Sequence, residues 1–353
     1  MKKDVFIVGV KSVFPKIYNS VDVIDTLYSE KLSSAKVNKF ATRLGSNVKI
    51  KNRAISIDLE QFPRMVVPDE HSPLLWASSV IKSFSDTIRN DSKIEFMSIS
   101  YNASSHAVTL PNLTCQIAHE SALDLAYPPE EIVNYGCTSG IFSIQSAVNF
   151  CQKNDFLATV FAFEQTSWTF KPLYDESDIN FRASLRTHAI FGDGGAGLLL
   201  ASGEEAEHFD KKLKIIDIKL DYQYGDVIKM EDGAFFTGDG VKDVMPKLVS
   251  ENIIKPILER NELQLEDVNE WSLHQGGIPV VDSFMNPEIL GLSKEQVELS
   301  KKMFIEYGNV STPSNFIVLE QHFNHGKGEV GDYGMIVGFG AGYYFGAVLY
   351  QHC

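Results

Sequence analysis

Short apolar runs rich in β-branched residues alternate, along most of the chain, with longer stretches whose apolar residues recur every three to four positions. Residues 5–10, 95–99, 158–163, 197–201, 215–220, 335–339 and 346–350 read as strands. Residues 73–88, 112–125, 140–152, 243–260 and 293–307 carry helical periodicity. The first of these helices has a start signal, with Ser72 as N-cap and Pro73 at the first helical position. Alternation of this kind predicts an α/β architecture. Shorter strand-like pieces at 131–133 and 270–273 each lie just ahead of a glycine-rich turn.

The pattern also repeats within the chain. Residues 191–200 (FGDGGAGLLL) and 338–347 (GFGAGYYFGA) share an aromatic, a glycine-rich turn and an apolar strand. Ahead of them, a strand ending near Tyr101 corresponds to one ending at His274, and Gly136-Cys137 is expected to open a helix as Gly308-Asn309 does. The expectation is two related halves, 1–203 and 204–353.

Composition narrows the class. At about 150 residues per domain, 353 residues supply two domain-sized units. Hydrophobic residues at 44% and charged residues at 22% are globular values, which excludes a disordered or fibrous chain. The net charge of −14 lacks the basic footprint of a nucleic-acid binder, and no Lys/Arg cluster suits a membrane surface. The apolar stretch after Met1-Lys2-Lys3 is too short for a secretory signal and Lys11 interrupts it; no run is long enough to span a bilayer. Cys115, Cys137, Cys151 and Cys353 show no CxxC spacing, so a reducing, cytoplasmic compartment is expected, in which a cysteine matters for its reactivity. No His/Cys/Asp/Glu grouping has metal-ligand spacing.

Three residues carry candidate chemistry. Cys137, in residues 134–141 (NYGCTSGI), is expected at a helix N-terminus, where free N–H groups and the helix dipole would lower the thiol pKa. Gly136 and Gly140 allow a sharp turn that presents the sulfur. His274 stands at a strand's carboxyl end before Gln275-Gly276-Gly277, where α/β proteins place their chemistry. Asn309 lies in residues 307–314 (YGNVSTPS), expected at a helix start. A Cys, His, Asn set serves two chemistries: hydrolysis, with Asn orienting His, or condensation, with both donating to a thioester carbonyl as an enolate forms.

With these residues in place, the chain resembles the thiolase superfamily, within the β-ketoacyl-acyl carrier protein synthase III branch. The matching segments follow in family order: 7–15 (IVGVKSVFP), 42–45 (TRLG), 110–117 (LPNLTCQI), the cysteine turn, 191–194 (FGDG), Thr237-Gly238 to Val241-Lys242, His274-Gln275, Gly308-Asn309 with Ser311 and Ser314, and 339–342 (FGAG). The resemblance implies two βαβαβαββ-type halves in a five-layered α-β-α-β-α core. It implies that Cys137 is acylated, that His274 and Asn309 bind the second thioester's carbonyl, and that backbone N–H groups of Cys137 and Ala341 form the oxyanion hole. Arg43 and Gly238 are implied to contact coenzyme A or a carrier arm.

The departures from the family bear on substrate. Gly277 and Pro279 stand where the family has an Asn and a basic residue, the basic one helping to dock an acidic acyl carrier protein, and 274–277 (HQGG) is similar to the HPGG of type III polyketide synthases. The implied activity is a ketosynthase III-like condensation in specialised metabolism, with or without cyclisation to a pyrone, quinolone precursor or cyclohexanedione. Thioesters of coenzyme A or a carrier protein would be the substrates, with no cofactor or metal, in a homodimer. The alternatives are acyl transfer from Cys137 to an alcohol or amine, a non-catalytic partner subunit, and a papain-like hydrolase. Phe142, Trp168, Phe170 and Tyr174 are candidates for an acyl tunnel or for core packing. Asp193 is expected to be a turn residue, and Glu120 and Glu164 solvated or structural carboxylates. Lys301 and Lys302 are candidates for a basic docking patch.

Overall fold

The computed structural model describes residues 3–153, 155–238 and 240–353; Met1, Lys2 and Asp239, which belong to segments read above, lie outside the described residues. Nine strands form one sheet: β1 (Val5–Val13), β2 (Ile94–Tyr101), β3 (Glu130–Val133), β4 (Leu157–Gln165), β5 (Asp193–Ser202), β6 (Leu213–Tyr222), β7 (Val268–Leu273), β8 (Tyr333–Gly340) and β9 (Tyr344–His352). The order is β7-β8-β9-β6-β1-β5-β4-β2-β3. Outward from the antiparallel β1/β6 pair, where Phe6 faces Lys214, the two sides run β5-β4-β2-β3 and β9-β8-β7. On each side the inner neighbours are antiparallel and the outer ones, β4/β2/β3 and β8/β7, parallel.

Side-chain alternation along these strands builds the layers. On β5, Leu198 and Leu200 enter a central core while Leu199 and Ala201 enter a second core on the other face. On β9, Val348 and Tyr350 join the same central core, and Ala347 and Leu349 a third. A one-residue slip in either strand would exchange two cores, which fixes the register. The central core is filled by two helices, α4 (Ser139–Cys151) through Ile141, Ile144 and Val148, and α8 (Ser314–His325) through Phe316, Ile317 and Leu319. Outside lie α2 (Pro73–Ser85) and α3 (Leu113–Glu120) on one side, and α6 (Val241–Val249) and α7 (Lys294–Tyr307) on the other; α1 (Ala35–Asn47) and α5 (Phe181–Ile190) flank a fourth core. The result is α-β-α-β-α layering.

The seven main strands expected from the pattern all form, each extended by a residue or more. The helices differ more. Residues 112–125 stop at Glu120, with Ala122 in the left-handed region at φ 51°. Residues 243–260 are not one regular helix: a π-helical turn, Ser250–Ile254, separates α6 from Lys255–Arg260. Pro256 lacks the N–H that would close the next regular turn, and the wider turn accommodates it. The two repeated segments both lead into the last strand of their side. In the first, residues 166–192, including α5, stand between β4 and β5; in the second, Phe339 and Gly340 finish β8 and a three-residue turn enters β9. Among the described residues no helix is long and apolar enough to cross a membrane.

Candidate active site

Parallel strands end where the chemistry gathers. After β3, Gly136–Thr138 form a single 3₁₀ turn that leads directly into α4, so Cys137 stands at the entrance of the central helix. Gly136 takes φ 59°, and a side chain there would collide with the backbone of Ala341. Gly340 is as constrained, since a Cβ would strike the Cys137 amide. Two glycines thus let the 136–137 and 340–341 backbones touch, bringing the Cys137 and Ala341 amides to one place. Ala341 is not among the left-handed residues; Gly342 and Tyr343 take those angles, so alanine carries no strain here.

His274 follows β7, its N–H donating to the Val337 carbonyl at 2.9 Å and its ring packing edge-on against Phe339 at 5.0 Å. Burial lowers its pKa to about 3, so the imidazole is neutral, and Nδ1 has no protein partner. Asn309 is not at a helix start: α8 begins five residues later, and Asn309 instead bridges to Phe191 in strand-like fashion. Its N–H donates to Ile190 at 2.8 Å and its carbonyl accepts from Gly192 at 3.0 Å. Asn309 Oδ1 accepts the Ser311 N–H at 2.8 Å. Because a backbone N–H can only donate, that contact fixes which end of the amide is oxygen and leaves the NH₂ group to act as donor.

These three residues line one enclosed cavity of about 20 Å³, walled by Phe191, Phe339, Ile228 and Val241. Ile190, Thr237, Val241 and Gly276 also line a larger cavity of about 500 Å³, so the two cavities share a wall. Gly238 and Pro279 line it, as do the cations Lys49, Arg186 and Lys242. On the other side, Ile228 also borders a cavity of about 420 Å³ that touches Gly136 and Ala341.

The expected lowering of the Cys137 pKa is not found. The side chain is 4% exposed, and burial pushes the thiol up to about 12, with the Glu164 carboxylate adding to the rise and a Ser311 hydrogen bond opposing it. In the enclosed site, desolvation of a thiolate outweighs the helix N-terminus.

Solved structures of similar architecture include PKS-I from the brown alga Ectocarpus siliculosus, with a TM-score of 0.80 at 20% identity over 100% of this chain and 99% of that one. The 1,3,6,8-tetrahydroxynaphthalene synthase of Streptomyces coelicolor A3(2), a bacterial type III polyketide synthase, gives 0.81 at 18% identity over 98% and 99%. The fold is thiolase-like. Residues 258–352 match the family described as 3-oxoacyl-[acyl-carrier-protein] synthase III C terminal. A Bacillus subtilis (strain 168) protein named for chalcone synthase is 26% identical over 250 residues, 68% of this chain and 66% of its own length. The 3,5-dihydroxyphenylacetyl-CoA synthase of Amycolatopsis balhimycina is 27% identical over 66% of this chain and 62% of its own. The match thus spans less than two thirds of these curated relatives.

Against this thiolase-like frame, the remaining expectations divide. Arg43 is exposed on α1 and does not line the large cavity, although Leu44 and Asn47, its neighbours along that helix, do. Lys49 and Arg186 have no local motif that would mark an isolated cation on a loop or helix, whereas Lys242 closes the 237–242 family segment. Phe142, Trp168, Phe170 and Tyr174 line none of the three cavities; Phe142 packs on Tyr135 and Tyr344, and Phe170 on His188. Asp193 is no turn residue: fully buried at the start of β5, it accepts the Ser56 and Ser167 N–H groups at 2.7 and 2.9 Å. Lys301 is paired with Asp282 at the cavity wall, and Lys302 is exposed. Glu120 is solvent-exposed, while Glu164 is 1% exposed and accepts from Asn102, Ala103 and Thr312.

Proposed function

We propose that this chain condenses two acyl thioesters through an acyl group carried on Cys137. The thiolate attacks the first thioester, the carrier thiol leaves, and the Cys137 and Ala341 amides receive the oxyanion. The second thioester enters through the large cavity. There His274 and Asn309 donate hydrogen bonds to its carbonyl as loss of CO₂ or a proton makes the enolate, which attacks the acyl-cysteine to form the carbon-carbon bond. The observation that carries this reading is the convergence of Cys137, His274 and Asn309 on one buried cavity that shares a wall with a larger one. Burial keeps His274 neutral, which suits a hydrogen-bond donor to a developing enolate.

Lys49, Arg186 and Lys242 on the walls of the large cavity favour a phosphorylated carrier arm. With Pro279 at the wall and a net charge of −14, a coenzyme A thioester fits better than docking of an acidic carrier protein. Thioester chemistry at Cys137 needs no cofactor or metal, and a homodimer of the cytoplasm is part of the same reading. The catalytic cavity holds little more than a water molecule, so an acyl chain would find room past Ile228, in the cavity beside Gly136. The synthase names of the relatives favour a polyketide-type product over a primary fatty acid.

Incubation with a panel of acyl-CoA thioesters, followed by intact mass spectrometry, should add one acyl group to the wild type and none to Cys137→Ala. Adding malonyl-CoA should then release a β-keto product or its cyclised form. Failure of every coenzyme A and carrier-protein thioester to acylate Cys137 would sink the reading.

A further inference from the structure

Arg53 is fully buried on a short strand, Asn52–Ala54, that pairs with Ile17–Asn19 outside the main sheet. It lines none of the three cavities of the site. Among the described residues its guanidinium donates to backbone carbonyls alone: Nη2 to Ser20 at 3.0 Å, and Nη1 to His188 and, at 3.4 Å, to Phe191. Taking a guanidinium out of water is costly, and an apolar side chain of similar volume often serves stability as well. A buried charge that answers only carbonyls therefore points to a demand for geometry.

That geometry converges on Asn309. His188 and Ile190 lie in the last turn of α5, whose final carbonyls have no partner within the helix. Arg53 takes the His188 carbonyl, and the Asn309 N–H takes that of Ile190 at 2.8 Å. A cation also suits the negative end of a helix dipole. Just beyond the helix, Phe191 gives its carbonyl to Arg53, and the Gly192 N–H donates to the Asn309 carbonyl at 3.0 Å. The segment 188–192 is thus held by Arg53 and in turn holds Asn309 by both of its backbone polar groups. A second contact comes from the residue before Asn309. Gly308 takes φ 77°, and a Cβ there would meet Arg53 Cγ at 3.2 Å and the Ile190 carbonyl at 2.9 Å. The chain around Arg53 also ties down the end of α7, through the Lys51 N–H on the Ile305 carbonyl at 2.8 Å and the Asn52 amide on the Glu306 carboxylate at 3.2 Å. Among the described residues no hydrogen bond of Arg53 reaches the Cys137 turn or the end of β7.

We propose that Arg53 is a positioning residue for the condensation step: without touching substrate, it fixes 188–192 and Gly308 so that the Asn309 amide keeps its place on the catalytic cavity. A misplacement of about 1 Å can cost about a hundredfold in rate. A loosened Asn309 would therefore slow formation of the enolate, while Cys137, held by its own turn, is acylated as before.

The inference rests on the condensation reading in taking Asn309 as a donor to the second thioester, and one arm of its test needs no thioester. Arg53→Met fills much the same space without donors; Arg53→Lys keeps the charge but cannot reach several carbonyls with a fixed fork. In hydrogen exchange followed by peptide mass spectrometry, 188–193 and 307–312 should exchange at least about tenfold faster in Arg53→Met, with 136–140 and 272–276 unchanged and Arg53→Lys between the two. With acyl-CoA and malonyl-CoA, Arg53→Met should load Cys137 within about twofold of the wild-type rate and condense at least about tenfold more slowly, with part of the loss recovered in Arg53→Lys. Adding Arg53→Met to Asn309→Ala should cost little more than Asn309→Ala alone. If Arg53→Met fails to fold, Arg53→Lys carries the same comparisons. Unchanged exchange at 307–312, or equal losses in acylation and condensation, overturns the proposal. A wild type that no thioester acylates defeats the condensation reading alone, and the exchange arm still decides whether Arg53 holds Asn309.

Discussion

Two buried glutamates stand near opposite ends of α8. Thr312, just before the helix, donates to Glu164; His322, in its last turn, faces Glu270 at 3.6 Å. Twelve residues at 1.5 Å each put about 18 Å between the two ends. Burial raises both carboxyl pKa values, but only Glu164 stays raised. Its donors are neutral, and they do not repay the loss of water. Glu270 also suffers burial first, yet the hydrogen bonds of His322 and His352, the charge of His322 and the Tyr350 hydroxyl hold it well below the usual carboxylate range. His352 Nε2 and the Tyr350 hydroxyl reach the same oxygen at 2.9 and 2.8 Å. What decides a buried carboxylate's charge here is therefore the kind of partner, not the number. The site end of the helix carries a carboxylate whose pKa burial keeps raised; the far end carries one that two histidines and a tyrosine hydroxyl hold charged.

Breaking the far cluster should give the larger effect on stability. Glu270→Ala would leave two histidines and a buried tyrosine hydroxyl without their shared acceptor, and loss of a partner from a buried ionic group costs about 3–5 kcal/mol. Urea unfolding should show that loss, while acylation of Cys137 in the folded fraction is unchanged. A loss below about 1 kcal/mol would mean that the cluster is solvated and that the contrast with Glu164 is not one of partners.

The pH dependence of stability separates the two carboxylates by sign. Glu270 has a lowered folded pKa, so its contribution is complete above the unfolded value of about 4.3 and is lost as pH falls through the folded value. Glu164 has a raised folded pKa, so the native state retains a proton that the unfolded chain releases. Its effect makes stability fall as pH rises from about 4.3 through the folded value. Urea midpoints between pH 3 and 8 should lose their acid limb in Glu270→Gln and flatten on the neutral side in Glu164→Gln. The same slope change in both variants would erase the distinction.

This contrast also marks what the chain discloses before it is folded. Hydrophobic alternation is local, so β1, β4, β5 and β9 could be placed to within a few residues, and Cys137 and His274 announced themselves through glycines beside a strand end. Asn309 was found as a residue but misplaced as a helix start, because its partners at 190–192 are more than a hundred residues away. Glu164 is legible only as a solvated or structural carboxylate and Ser311 only as a serine of the 308–314 segment; the approach of Ser311 to the sulfur depends on the turn after β3 and the loop before α8 converging. The cysteine pKa was misjudged for a related reason. A helix N-terminus is a local feature of sequence, but burial of the sulfur by Phe191, Phe339 and Ile228 is not. Cationic walls such as Lys49 and Arg186 have no sequence signature at all.

The finest test removes one neutral donor and leaves the charges alone. Thr312→Val keeps the shape of the side chain but takes away a hydroxyl that donates to Glu164 at 2.8 Å. One hydrogen bond to a charged acceptor contributes about 1.5–3 kcal/mol at most, and the Asn102 amide, which also reaches Thr312 at 3.0 Å, can take up part of the load. A net loss of about 1 kcal/mol is expected. More telling is the pH dependence: with one donor fewer the folded pKa of Glu164 rises further, so the fall of stability with rising pH should extend to higher pH. A pH profile of stability that coincides with the wild type would indicate that the Thr312 hydroxyl matters for geometry and not for the charge of Glu164.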